Sequence, residues 1–197
     1  MSDTLTILRH SSALMSKLWR RDGTVDSYGD GKFFAHTTLT VNNLVELSLR
    51  LNYLERQPRH CMIRGKLVDE AITKARDGEA FQPGKVRRAL AYFDDQALHS
   101  MMIDIDGFDA LGVDASEEPL AAIEEFVSTM LPPAFQDAGY HWQLSNSFGH
   151  ESKGDKLHAH LWFWLDEALT SAQLKAWAKA TKLAADLSLF NPVQIHY

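Results

Sequence analysis

The chain has 197 residues, of which 45% are hydrophobic and 23% charged, with a formal net charge of -6. That length and apolar content give one globular domain with a sizeable core and exclude a disordered chain. The acidic balance argues against a generic basic nucleic-acid coat but is compatible with a local basic cleft. Cys61 is the single cysteine, which excludes internal disulfides and cysteine zinc sites and fits a reducing, cytoplasmic compartment. No apolar run approaches the roughly 20 residues of a membrane span, and Met1 to Arg9 lacks the pattern of a signal peptide.

In chain order, Leu5 to Trp19 is read as a strand followed by a short helix, and Asp22 to Lys32 as a glycine-bearing loop. Phe33 to Val41 reads as a strand. Asn42 or Asn43 caps a helix with Leu44, Leu47, Leu51 and Leu54 on one face, closed by Pro58. His60 to Arg64 reads as a strand leaving at Gly65, and Val68 to Ala75 as helix. Phe81 to Ala89 carries Lys85, Arg87 and Arg88, either a solvated loop or a set of phosphate contacts, with a slight lean to the second.

Met101 to Phe108, Met-Met-Ile-Asp-Ile-Asp-Gly-Phe, reads as a buried strand ended by Gly107. Alternation sends Asp104 and Asp106 to the same side. Two carboxylates projecting from a core strand repel and lose hydration, which a divalent cation such as Mg²⁺ or Mn²⁺ relieves. The plainer alternative is a solvated pair at a strand end. Ser116 to Met130 reads as a helix burying Ile123, Phe126, Val127 and Met130, stopped by Leu131-Pro132-Pro133. Tyr140 to Leu144 and Leu157 to Leu165 read as strands pairing antiparallel across the polar loop Ser145 to Asp155. His158 and His160 share one face of the second strand, with Trp162 and Trp164 there in a packing role. Thr170 to Ala185 reads as a helix ending near Asp186, and Val193 to Tyr197 as a further strand.

This order predicts an α/β (α+β) domain with a mixed or antiparallel sheet, flanking helices and a split βαβ, RNA-recognition-like core. Residues 1–65 are expected as an α/β lobe and about 66–197 as the core.

The strand-borne Asp-x-Asp, the small-residue loop with a His-bearing strand, and the later apolar-Asp resemble the archaeo-eukaryotic primase superfamily, which includes primase-polymerases of phages, plasmids and integrated elements. Its first motif falls on Ile103, Asp104 and Asp106, its second on the strand from Leu157, and its third on Ala185 and Asp186. Phe190-Asn191-Pro192-Val193-Gln194 resembles the segment that follows. The second motif departs from small-x-His, because Lys156 and His158 precede the two histidines; His160 is the favoured match. The resemblance runs from about Gly65 to the end and implies a chain continuing past Tyr197, often into a helicase domain.

It implies a template-dependent nucleotidyltransferase acting on single-stranded DNA with nucleoside triphosphates, with a helicase or replication protein as a further partner. Asp104, Asp106 and Asp186 would be catalytic and hold two divalent ions, Mg²⁺ or Mn²⁺. Ser145, Ser147, His158 and His160 would bind the incoming nucleotide, and Lys85, Arg87 or Arg88 would contact template or phosphates. The competing enzyme is a rolling-circle or mobilisation nuclease, in which His158-Ala159-His160 is the metal motif and Tyr197 the nucleophile. A catalytically inert nucleic-acid-binding module is the third reading.

Overall fold

The computed structural model describes residues 2–26, 31–183 and 186–196. Ala185 and Tyr197, both named above, lie outside the described residues. The fold is mixed α/β, built on two antiparallel sheets with helices against them.

The first sheet comes from the N-terminal part. Its strands are β1 (Asp3–Arg9), β4 (Phe33–Val41), β5 (His60–Ile63) and β7 (Lys85–Arg87), in the order β5-β1-β4-β7. A two-residue pair, β2 (Leu18–Trp19) with β3 (Val25–Asp26), forms a small hairpin between β1 and β4. The helix predicted before Trp19 does not form. His10 Nδ1 accepts from the amides of Ser12 and Ala13, and Met15 N donates to Pro58 O. Those amides are therefore taken from any helical ladder. Helix α1 (Leu44–Leu54) starts at Asn43, whose side chain accepts from Glu46 N, and buries Leu47, Leu51 and Leu54.

β6 (Lys66–Leu67) pairs with β8 (Phe93–Asp94), and α2 (Glu70–Asp77) lies between them in sequence. Since β7 is an edge of the first sheet, residues past 65 belong to it, and the expected boundary there does not separate the two sheets.

The second sheet holds β9 (Leu98–Phe108), β10 (Tyr140–Leu144) and β11 (Leu157–Leu169) in the order β10-β11-β9. Helix α3 (Pro119–Met130) connects β9 to β10, followed closely by the single turn α4 (Pro133–Gln136). α5 (Ser171–Ala180) follows β11 and begins with a capping box between Thr170 and Gln173. Leu157, Ala159, Leu161 and Phe163 alternate into the core with Ile103 and Ile105 of β9 and Ile123, Phe126 and Val127 of α3. Met130, expected in the buried stripe, is instead exposed at the last turn of α3.

Buried polar bonds tie the sheets together. Asp3 of β1 accepts from His99 N (2.8 Å) and Ser100 N (2.7 Å) of β9, and its carboxylate lies 3.0 Å from His99 Nδ1. Arg64, after β5, donates to Ser100 O and Leu169 O. The strand expected from Val193 is reduced, among the described residues, to one antiparallel bridge between His196 and Met62 of β5. Among the described residues no helix is long and apolar enough to cross a membrane.

Candidate active site

A cleft of about 400 Å³ opens on the face of the second sheet opposite α3. Its floor is set by strand register. Antiparallel pairing puts His160 opposite Asp104 and His158 opposite Asp106, while Gln143 of β10 stands on the other side of His160. Alternation then presents all five side chains to one face. Ser145, Asn146, Ser147 and Lys153 of the loop after β10 form one wall, with Lys17 and Trp19 from the N-terminal part. His196 and Gln194 close the C-terminal side.

Strand β9 does not end at Gly107. It continues to Phe108 through a register shift between Leu157 and His158, at which Gly107 takes φ +86°. That conformation is cheap only for glycine, and the irregularity turns the strand just after Asp106. Asp106 is consequently turned outward, with 72% of its side chain exposed, against 36% for Asp104.

The electrostatics follow from this placement. Burial pushes the Asp104 carboxyl above its ordinary range; His160 opposes the shift, and the charges of Asp106 and Asp186 add to it. Asp106 Oδ1 lies 2.9 Å from His158 Nδ1 and 3.5 Å from Lys153 Nζ. Burial and the Lys153 charge hold His158 below its usual value, so the ring is neutral near pH 7. With Nδ1–H donated to Asp106, Nε2 carries the lone pair, and that nitrogen is buried without a hydrogen-bond partner. His160 Nε2 lies 3.5 Å from Asp104 Oδ1. Ser145 and Ser147 share a hydroxyl hydrogen bond of 2.9 Å on the rim.

Asp186 sits differently from the expectation. It is not at a helix C-terminus, because α5 ends at Ala180. It caps a one-turn 3₁₀ helix, Leu187–Phe190, accepting from Ser188 N (2.8 Å) and Ser188 Oγ (2.6 Å). Those bonds hold its carboxyl low, while its charge still reaches Asp104. The basic residues 85–88 are elsewhere. Arg87 Nε pairs with buried Asp77 at 2.9 Å, its guanidinium lies over Phe33, and Arg88 donates to Val193 O. Neither lines the cleft. Trp162 is buried edge-on to His196, and Trp164 stacks on His99 at 5.4 Å, in keeping with a packing role.

Lys153, Gln143, Trp19 and His196 are cleft residues that the sequence reading did not single out. For Gln143 the signal was present, since it lies in the predicted strand Tyr140 to Leu144, two residues before Ser145. Among the described residues no three His, Cys, Asp or Glu side chains are grouped to hold a metal ion. The chemistry of the donors nevertheless suits a divalent cation: one carboxylate is destabilised in its charged form, and a second is paired to the neutral imidazole of His158, whose other nitrogen is unpartnered. No protein-family model, no curated protein and no solved structure matches the chain.

Proposed function

We propose that the protein is a template-dependent nucleotidyltransferase of the primase-polymerase kind, acting in the cytoplasm on single-stranded DNA and nucleoside triphosphates. The observation that carries this reading is the β9–β11 register, which sets Asp104 and Asp106 against His160 and His158 beside a serine-bearing loop. The strand order β10-β11-β9, with α3 after β9 and α5 after β11, supports an RNA-recognition-like core of the archaeo-eukaryotic primase type.

In this reading Asp104 and Asp106 supply hard oxygens for Mg²⁺ or Mn²⁺. Asp186 is the third acid, acting through its charge and capping the turn beside the cleft. Two divalent ions held there would supply neutralisation of the triphosphate and activation of the attacking 3′-hydroxyl. The hydroxyls of Ser145 and Ser147 donate to phosphate oxygens, and His160 orients the triphosphate from the strand centre. His158 keeps Asp106 aimed through the 2.9 Å contact. The 3′-hydroxyl gives up its proton to solvent as its oxygen forms a bond to the α-phosphorus, the bond from that phosphorus to the bridging oxygen breaks, and pyrophosphate leaves with the electron pair. A helicase or replication protein supplying the template is the partner this reading implies.

The nuclease reading draws on one feature, the position of His158 and His160 on the central strand of the second sheet. The deciding experiment incubates the protein with primed and unprimed single-stranded DNA, labelled nucleotides and Mg²⁺ or Mn²⁺. Template-dependent incorporation that Asp104→Asn abolishes is the expected result. Nicking with a covalent protein–DNA adduct, and no incorporation, would replace the polymerase by the nuclease.

A further inference from the structure

Of the five tryptophans, Trp19 is the one that lines the cleft among the described residues. Both apolar cores are built without it. Its ring is instead held over the loop Ser145 to Asp155. His150 packs on it with ring centres 4.9 Å apart, and His150 Nε2 lies 3.1 Å from Arg20 O. Asn146 Nδ2 reaches Lys17 O at 3.5 Å. The β2–β3 hairpin is thereby fixed to the loop that bounds the carboxylates, and a half-buried indole stands at a set place in the cleft wall.

Lys153 measures the gap between that wall and the acids. Its Nζ is 5.6 Å from the Trp19 ring centre and 3.5 Å from Asp106 Oδ1. One ammonium group therefore spans indole and carboxylate. In a nucleotide, one sugar spans base and phosphates. An aromatic face with two lysines, Lys17 and Lys153, beside a carboxylate pair is the combination that takes a base by stacking and a polyphosphate by charge.

Resting on the polymerase reading, we infer that Trp19 stacks on the base of the incoming nucleoside triphosphate, while Lys153 turns from Asp106 to its phosphates. The base is read by its face, so the subsite accepts purines and pyrimidines alike and recognition of the template stays with base pairing. Trp162, buried, and Trp164, stacked on His99, have no comparable face open to the cleft.

Isothermal titration of the full chain in Mg²⁺ with ATP or dATP, whichever binds tighter, and with inorganic tripolyphosphate tests this. The nucleotide should bind more tightly than tripolyphosphate. Trp19→Ala should weaken nucleotide binding by about tenfold and leave tripolyphosphate unchanged, as loss of one stacked base requires. Trp19→Phe should keep most of the affinity, and Lys153→Met should weaken both ligands. Equal wild-type affinities, an unaffected Trp19→Ala, or a parallel loss of tripolyphosphate would each overturn the stacking role. Extension that needs Asp104 but shows no base contribution rejects the subsite alone. Base-dependent binding without Asp104-dependent extension rejects the polymerase reading alone.

Discussion

His160 and Asp104 stand directly opposite one another on antiparallel neighbours, with His160 Nε2 3.5 Å from Asp104 Oδ1. The pairing sets a half-buried acid, raised by desolvation and by Asp106 and Asp186, against an imidazole that favours the charged form of the carboxylate. Function and stability thus pull on the same carboxylate.

Asp104→Asn should abolish incorporation and leave the metal-free protein at least as stable as wild type at pH 7. A carboxyl whose folded pKa is raised costs stability progressively as pH climbs from its ordinary value, and the full cost is present above the raised value, so removing it helps at neutral pH and gives little in acid. Thermal melts in chelator at pH 7 and pH 4 check this. A lower midpoint for the variant at pH 7 would show that the Asp104–His160 contact outweighs the desolvation.

Helix α1 and strands β4 and β10 were legible because capping and alternation coincide at Asn43, Phe33–Val41 and Tyr140–Leu144. The end of α5 was not. Leu183 N bonds Ala178 O and Lys182 N bonds Lys179 O, with Lys182 at φ 54°, a Schellman closure. Glycine usually marks that position, and here a lysine conceals it. The Asp and His pairs were legible as shared faces, but only strand register could say which acid meets which histidine. Trp19 and Lys153 were hidden because they meet through a hairpin-to-loop contact separated by more than a hundred residues, which carries no periodic signal.

Gly107→Ala should cost about 1–2 kcal/mol, the ordinary penalty of a left-handed conformation with a side chain. Space is not the obstacle, since the added Cβ would meet His158 Cε1 at 3.6 Å, an ordinary contact. Relaxing the bend also re-aims Asp106, so incorporation should fall more than stability does. Urea denaturation beside an extension assay separates the two effects; wild-type values in both would mean the bend at residue 107 is unnecessary.

Asp3→Ala should lower stability by about 3 kcal/mol, because it leaves two buried backbone amides and His99 without their acceptor. The site lies away from the cleft, so nucleotide KM should hold at temperatures where the variant remains folded. A change below 1 kcal/mol would mean the sheets are joined mainly by Arg64 and apolar contact.

His196 is buried, and desolvation, aided by Arg64 and His160, takes it from its ordinary 6.5 to about 3. A depressed folded pKa means that the unfolded chain binds a proton the native state refuses. Stability should therefore fall as pH drops from about 6.5 toward 3, by up to roughly 1.4 kcal/mol per pH unit for this one group. His196→Phe, which keeps an aromatic ring beside Trp162, should flatten that slope. Denaturation midpoints at pH 7 and pH 5 that shift equally in wild type and variant would move the acid sensitivity to other groups, such as His158 and His141, whose pKa values are also lowered by burial.

His158, His160 and Tyr197 separate the leading enzymes. In a polymerase, His160→Ala should chiefly raise the nucleotide KM, because the ring orients a triphosphate. His158→Ala should lower kcat as well, because Asp106 then loses the donor that aims it. Tyr197→Phe should leave extension nearly unchanged, since no step needs a phenolic nucleophile. In a nuclease the same tyrosine change removes the attacking oxygen, and nicking disappears together with any covalent adduct. Steady-state extension kinetics and a denaturing gel on the same three variants give opposite patterns. An adduct made by wild type and lost in Tyr197→Phe would overturn the polymerase, and a raised KM in His160→Ala with full activity in Tyr197→Phe would sustain it.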